Sequence, residues 1–132
     1  MFAHKSHPLA KRKSIRIEEL EGARMVLRES GSTTRRALEA ALTRHGVTIN
    51  PIMEIGSREA VWLAVARGIG IGVVSDIEFI KHPDLRTIEI ENADIHTTAH
   101  VNCLMERRDS RLVSAFFDVA AETRKLRQGD PA

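Results

Sequence analysis

The chain has 132 residues, the length of one ordinary domain, enough to bury roughly two-thirds of the surface that the unfolded form exposes. Hydrophobic residues make up 42% and charged residues 29%, which excludes collagen-like, wholly disordered and disulfide-stapled chains. With 20 basic against 18 acidic side chains the net charge is +2, too small to imply a nucleic-acid or membrane partner.

Cys103, the single cysteine, excludes an intramolecular disulfide and a cysteine-rich zinc cage, so the expected location is the cytoplasm. No apolar run approaches the ~18 residues of a membrane span, and MFAHKSHPLA lacks the apolar stretch of a signal peptide. Four Phe, one Trp and no Tyr argue against a stacking platform for single-stranded nucleic acid.

In chain order, HKSHPLAKRKS reads as a loop or ragged terminus, polar and basic around Pro8. IEEL at 17–20 is at most one helical turn. ARMVLRES holds a short apolar run, Met25, Val26 and Leu27, between Gly22 and SGST, and predicts a buried strand. From Thr33 the spacing becomes helical through Leu38, Ala41, Leu42 and His45, with Gly46 where a left-handed cap ends the helix. A second cycle follows, with PIMEI as strand, GS as turn, REAVWLAVAR as helix, Gly68 as cap and IGVV as strand.

This alternation predicts an α/β fold, a mostly parallel sheet with helices on both faces and right-handed connections. Beyond it, LRTIEI alternates around Ile88 and Ile90, and HVNCLME places Val101, Cys103 and Met105 on one face. Both predict strands with one buried face. A last helix is expected from about Arg111 to Leu126, capped by Asp109 or Ser110, with Leu112, Phe116, Val119 and Ala120 as its stripe. The tail RQGDPA is expected to fray.

Glycines 68, 70 and 72 in RGIGIGVVS end a helix and enter a strand, the reverse of a dinucleotide-binding loop, and so read as a cap followed by close packing. His96 and His100 are four apart, but on a strand that spacing is ~13 Å, too far for one metal ion. No metal site and no cofactor is expected. Cys103, in an alternating strand, reads as a packed small hydrophobe and not as a nucleophile.

Two strand-to-helix turns remain, RESGSTTRR and EIGSREA. Both lie at carboxyl ends of strands, where open α/β sheets bind ligands, and each offers backbone N–H groups at the positive end of a helix. The first adds three hydroxyls, on Ser32, Thr33 and Thr34, where capping needs one. Arg35 and Arg36 in the same turn each oppose the helix dipole by about 0.3 to 1 kcal/mol. A bound anion would remove that conflict; equally, Arg35 could lie along Glu39, its i+4 neighbour. Candidate ligand-binding residues are Gly31, Ser32, Thr33, Thr34 and Arg35 on the first turn and Gly56 and Ser57 on the second. No motif supplies a nucleophile or an acid/base pair, so no catalytic residue is expected.

The succession HPLA, EELEG, RESGSTTRRALE, EIGSREAVWLAVARGIGIGVVS and RRDSRLVSAFF resembles, in order and spacing, the effector-binding region of LysR-type transcriptional regulators, over roughly residues 4 to 122. The resemblance implies one lobe of a two-lobed fold like the type 2 periplasmic binding proteins. A small-molecule inducer would sit in the cleft between lobes and signal to an N-terminal DNA-binding domain. By the same resemblance the chain begins near the second lobe, so the DNA-binding domain and most of the first lobe are absent, and the last strand and helix return toward that first lobe. Ser32 and Thr33 would line the cleft, with Gly56 and Ser57 facing it. REAVWLAVARGIGIGVVS and CLMERRDSRL are also similar to the branch associated with phosphonate utilisation.

The expected function is therefore a non-enzymatic sensor of a small, anionic, phosphonate-like effector. It would form a homo-oligomer through the last helix, bind no DNA by itself and touch no membrane. A free-standing carrier of periplasmic-binding type and an enzyme acting on a phosphorylated metabolite are the alternatives.

Overall fold

The computed structural model describes residues 1–128, except the side chains of Ile77 and of 125–128. The chain divides into two compact units, Met1–Thr97 and Thr98–Ala132.

The first unit contains β1 (Phe2–His4), β2 (Ser14–Ile15), β3 (Arg24–Arg28), α1 (Thr33–His45), β4 (Asn50–Ile55), α2 (Arg58–Ala66), β5 (Ile71–Gly72), β6 (Leu85–Thr87) and β7 (Glu89–Ile90). Five strands form one sheet in the order β4-β3-β5-β1-β6, and β2 pairs with β7 in a small parallel sheet. β3 is parallel to β4 and β5, whereas β1 is antiparallel to β5 and β6. The sheet is thus mixed: β1 runs against the other four strands.

The connections explain the two layers of helix. From β3 the chain steps outward to β4, then crosses back over β3 to β5. Two right-handed crossovers stepping in opposite directions place their helices on opposite faces. Side-chain alternation agrees. Met25 and Leu27 of β3 pack with Leu38, Ala41 and Leu42 of α1, while Val26 packs with Val61, Ala64 and Val65 of α2.

The caps stand where expected. Gly46 (φ 65°) ends α1 and Gly68 (φ 73°) follows α2 in the left-handed region. A Cβ on Gly70 would lie 2.7 Å from the Arg24 carbonyl oxygen, and one on Gly72 would lie 2.5 Å from the Phe2 ring. These two glycines therefore let strands and helix approach closely, which is the packing reading of RGIGIGVVS.

Four expectations are corrected. The terminus is not ragged: Phe2 and Ala3 are fully buried in β1, between β5 and β6. The basic segment after it contains a single 3-10 turn, Pro8–Lys11, with His7 as its N-cap. A three-residue strand carries too little periodicity to be seen alone and exists because its neighbours complete its hydrogen bonds. LRTIEI is not one strand but two in different sheets, hinged at buried Ile88. IGVV contributes only Ile71–Gly72.

The fourth correction falls in the second unit. HVNCLME forms no strand among the described residues; Val101, Leu104 and Met105 are exposed, and Met105–Arg107 is a 3-10 turn. Cys103 is an exposed free thiol and not a packed hydrophobe. Alternation shows only that a segment could bury one face, and a strand also needs a partner edge. The unit's helix, α3 (Arg111–Gln128), starts where expected: the Ser114 N–H donates to the Ser110 carbonyl at 2.9 Å. Leu112 is 81% exposed, and Phe116 and Val119 about as open as each other at 59% and 60%. The last four residues of RQGDPA lie outside the described residues.

Candidate functional site

β3 ends at Arg28, and the chain turns through Glu29–Gly31 into α1. The Ser32 N–H donates to the Glu29 carbonyl at 2.9 Å, closing the turn. Ser32 is the N-cap in extended conformation, and its hydroxyl accepts the Arg35 N–H at 3.4 Å. Gly31 and Thr33 are exposed, whereas Ser32 and Thr34 are half-buried.

Arg35 lies along Glu39, its i+4 neighbour, and also reaches beyond the helix. Its Nε donates to Glu39 at 2.7 Å, and its Nη1 donates to Glu54 at 2.6 Å and to the Arg28 carbonyl at 2.8 Å. The bonds to Glu39 first and Glu54 second hold its pKa above the ordinary arginine value. The neighbouring Arg28 makes a fork to Glu29, at 2.8 and 2.9 Å, and that bond pushes the Glu29 carboxyl below its usual range.

At the second turn Ser57 is the N-cap of α2: its hydroxyl accepts the Ala60 N–H at 3.3 Å and donates to Glu59 at 2.9 Å. Glu59 also receives its own backbone N–H, which together with the Ser57 hydroxyl lowers its pKa. Gly56 and Ser57 are exposed.

A cleft of about 770 Å³ opens beside the first turn, within the ordinary range for small-molecule sites. Thr34, Ala37 and Leu38 of α1 form one wall, Val73–Asp76 after β5 another, and Met1, Phe79 and Thr87–Ile90 with residues 93–97 the rest. It therefore sits at the carboxyl ends of β3, β5 and β6. Asp76, Glu89 and Asp94 line it as well, and Asp94 holds His96 at 2.6 Å. Thr34 also borders a narrow gap with Arg28, Arg58, Trp62 and Glu78, where the Trp62 Nε1 is buried and has no hydrogen-bond partner among the described residues.

Of the seven expected residues, Thr34 is the one in the described wall of the cleft. Gly31, Ser32, Thr33 and Arg35 form the turn that carries it, and Gly56 and Ser57 build the neighbouring turn. Sequence reasoning missed Val73–Asp76. The signal was available, since GVVS also follows a strand and obeys the same carboxyl-end rule. Residues 87–97 gave no such signal. Among the described residues no three His, Cys, Asp or Glu side chains gather as a metal site, and no helix is long and apolar enough to cross a membrane.

Residues 1–125 match the LysR substrate binding domain family. The chain belongs to this family. It is 32% identical over 122 residues to the HTH-type transcriptional activator CmpR of Synechocystis sp., covering 89% of this chain and 40% of CmpR. It is 45% identical over 75 residues to the RuBisCO operon transcriptional regulator of Acidithiobacillus ferrooxidans, covering 57% of this chain and 24% of that one. The chain thus spans well under half the length of these relatives.

Among solved structures, the Synechocystis PCC6803 CcmR regulatory domain in complex with 2-PG superimposes with a TM-score of 0.69 at 28% identity, covering 89% of this chain and 58% of that one. The effector binding domain of QuiR in complex with shikimate gives a TM-score of 0.72 at 18% identity, covering 90% and 57%. That second likeness is one of fold. LysR family membership and the type 2 periplasmic-binding-like α/β fold are those the sequence resemblance implied. The relatives the chain matches are named as transcriptional regulators.

Proposed function

We propose that this LysR-family chain is the effector-sensing part of a cytoplasmic transcriptional regulator, and that its effector is a small anion, phosphorylated or phosphonate-like. The observation that carries this reading is the N-terminus of α1. It opens beside the cleft with Thr34 in the wall and no acidic residue in its first turn, so the Thr33 and Thr34 N–H groups and the helix dipole are available to an anion. The Gly31–Thr34 stretch would supply the principal contacts, with Arg35 behind it, and Gly56 and Ser57 a secondary edge. That the related CcmR domain was solved with 2-PG, a small phosphorylated ligand, supports the same ligand class.

In this reading, residues 1–132 form one effector-binding lobe with its returning segment, and DNA recognition belongs to another part of the regulator. The apolar stripe of α3 would be covered in a homo-oligomer. Titration calorimetry with 2-PG and with methylphosphonate tests the ligand assignment. Weak saturable binding is expected from the purified chain, lost in Ser32→Ala/Thr34→Val. Equal heats from wild type and the double variant would overturn it.

A further inference from the structure

We infer that Arg35 is a positioning residue of the effector site: it holds the Glu29–Thr34 turn in shape and presents Thr34 to the cleft, without contacting the ligand. The inference rests on the effector site proposed above and assigns a role within it.

Three backbone segments meet at this guanidinium. Nη1 reaches the Arg28 carbonyl at the end of β3 and Glu54 in β4, and Nε reaches Glu39 one turn further along α1, at distances of 2.6 to 2.8 Å. The side chain is only 16% exposed, against 45% for Glu39 and 57% for Glu54. Both protons of Nη1 and the Nε proton are thus committed, and an approaching anion would meet two carboxylates in the same sphere. Repulsion from that pair opposes direct coordination, whereas the bridge from β3 to α1 spans the turn itself. Glu29–Ser32 is closed by one internal bond, Ser32 N–H to Glu29 carbonyl, 2.9 Å. The Arg35 bridge fixes the angle at which α1 leaves β3, and with it where Thr34 stands.

Arginine suits the task because its planar fork directs donors in fixed, divergent directions; a lysine ammonium is a single point on a flexible stem. The arrangement also explains how a cation is tolerated in the first turn of a helix, since its charge is met by Glu39 and Glu54.

The test compares Arg35→Gln, Arg35→Lys and Glu54→Gln with wild type, using methylphosphonate as the probe and amide hydrogen exchange without any ligand. Positioning predicts that all three weaken binding and that Arg35→Lys does not restore it. The drop for Arg35→Gln should be about tenfold or more, the scale of a lost charge-assisted hydrogen bond. Amides of residues 30–36 should exchange faster in each variant while those of α2 stay as in wild type. Direct coordination predicts the opposite sign for Glu54→Gln: removing a competing carboxylate would tighten binding, and exchange in the turn would not change. That pair of results would overturn the inference. Should wild type bind no probe, the site assignment fails, and the exchange data alone decide whether Arg35 shapes the turn; unchanged exchange would then sink this role too.

Discussion

After β3 the chain enters α1 through Ser32, and after β4 it enters α2 through Ser57. Each serine hydroxyl accepts the N–H three residues on, at 3.4 and 3.3 Å. At the next positions the turns diverge. α2 has Glu59 in its first turn, and that carboxylate takes the Ser57 hydroxyl and its own N–H. α1 has no acidic residue there but Thr33, Thr34 and Arg35, and Arg35 is tied to carboxylates elsewhere. One helix end therefore carries its own anion, and the other is left to face the cleft. Identical capping chemistry does not make two helix ends equivalent; what fills the remaining first-turn positions does.

The largest effects should come from removing the floor beneath each turn. Phe2, under α2, and Leu38, the anchor of α1, are fully buried. Phe2→Ala should cost about 3–5 kcal/mol and Leu38→Ala about 2–5 kcal/mol, read as lower urea midpoints. A small loss in either would mean that its helix is not seated on that core.

The two caps give a sharper contrast. Ser32→Ala and Ser57→Ala should each destabilise by about 1 kcal/mol, so thermal melts should not tell them apart. Methylphosphonate titration should, with a clear loss of affinity for Ser32→Ala and a smaller loss, or none, for Ser57→Ala. Equal losses of binding would erase the distinction between the turns.

Giving α1 the acid that α2 already has should produce effects of opposite sign. Thr33 is exposed at the first position of α1. Thr33→Glu should stabilise the fold by about 0.3–1 kcal/mol through the helix dipole while abolishing anion binding. Binding at wild-type strength would show that the α1 N-terminus is not the anion's partner.

The smallest effect concerns pH. Glu59 has a folded-state pKa below its ordinary 4.5, because of its own N–H and the Ser57 hydroxyl. The stability this provides is complete above 4.5 and lost as pH falls through the lower folded value. Glu59→Gln should therefore lower the neutral plateau of a stability-versus-pH curve while leaving stability below the folded pKa close to wild type, which flattens the acid limb. An unchanged limb would place the acid sensitivity in other carboxylates with lowered pKa, among them Glu29.

Several elements were legible from residues alone because their signals are local. The i, i+3, i+4, i+7 spacing of Leu38, Ala41, Leu42 and His45, Gly46 as a left-handed cap and serine before each helix all act within one or two helical turns. The alternation of β3, α1, β4, α2 and β5 was equally plain, and so was membership of the LysR family. The strand-to-helix turn between β3 and α1 was also legible, since hydroxyls at a helix start after a strand are visible in one dimension. Its internal division of labour was not: Ser32 caps, Thr34 faces the cleft, and three similar residues in a row carry no mark of which does which.

The sequence by itself determined the helices, their caps, the order of the central elements and the family to which the chain belongs, because these follow from interactions among near neighbours or from an ordered set of such local patterns. Only the tertiary structure decided that Phe2–His4 is an inner strand, that HVNCLME is not a strand, that Arg35 reaches Glu54, and that Val73–Asp76 and residues 87–97 complete the cleft around Thr34. Each of these depends on a partner far along the chain: a strand needs neighbouring strands to complete its hydrogen bonds, and a guanidinium takes whichever carboxylates the packed sheet places within its reach.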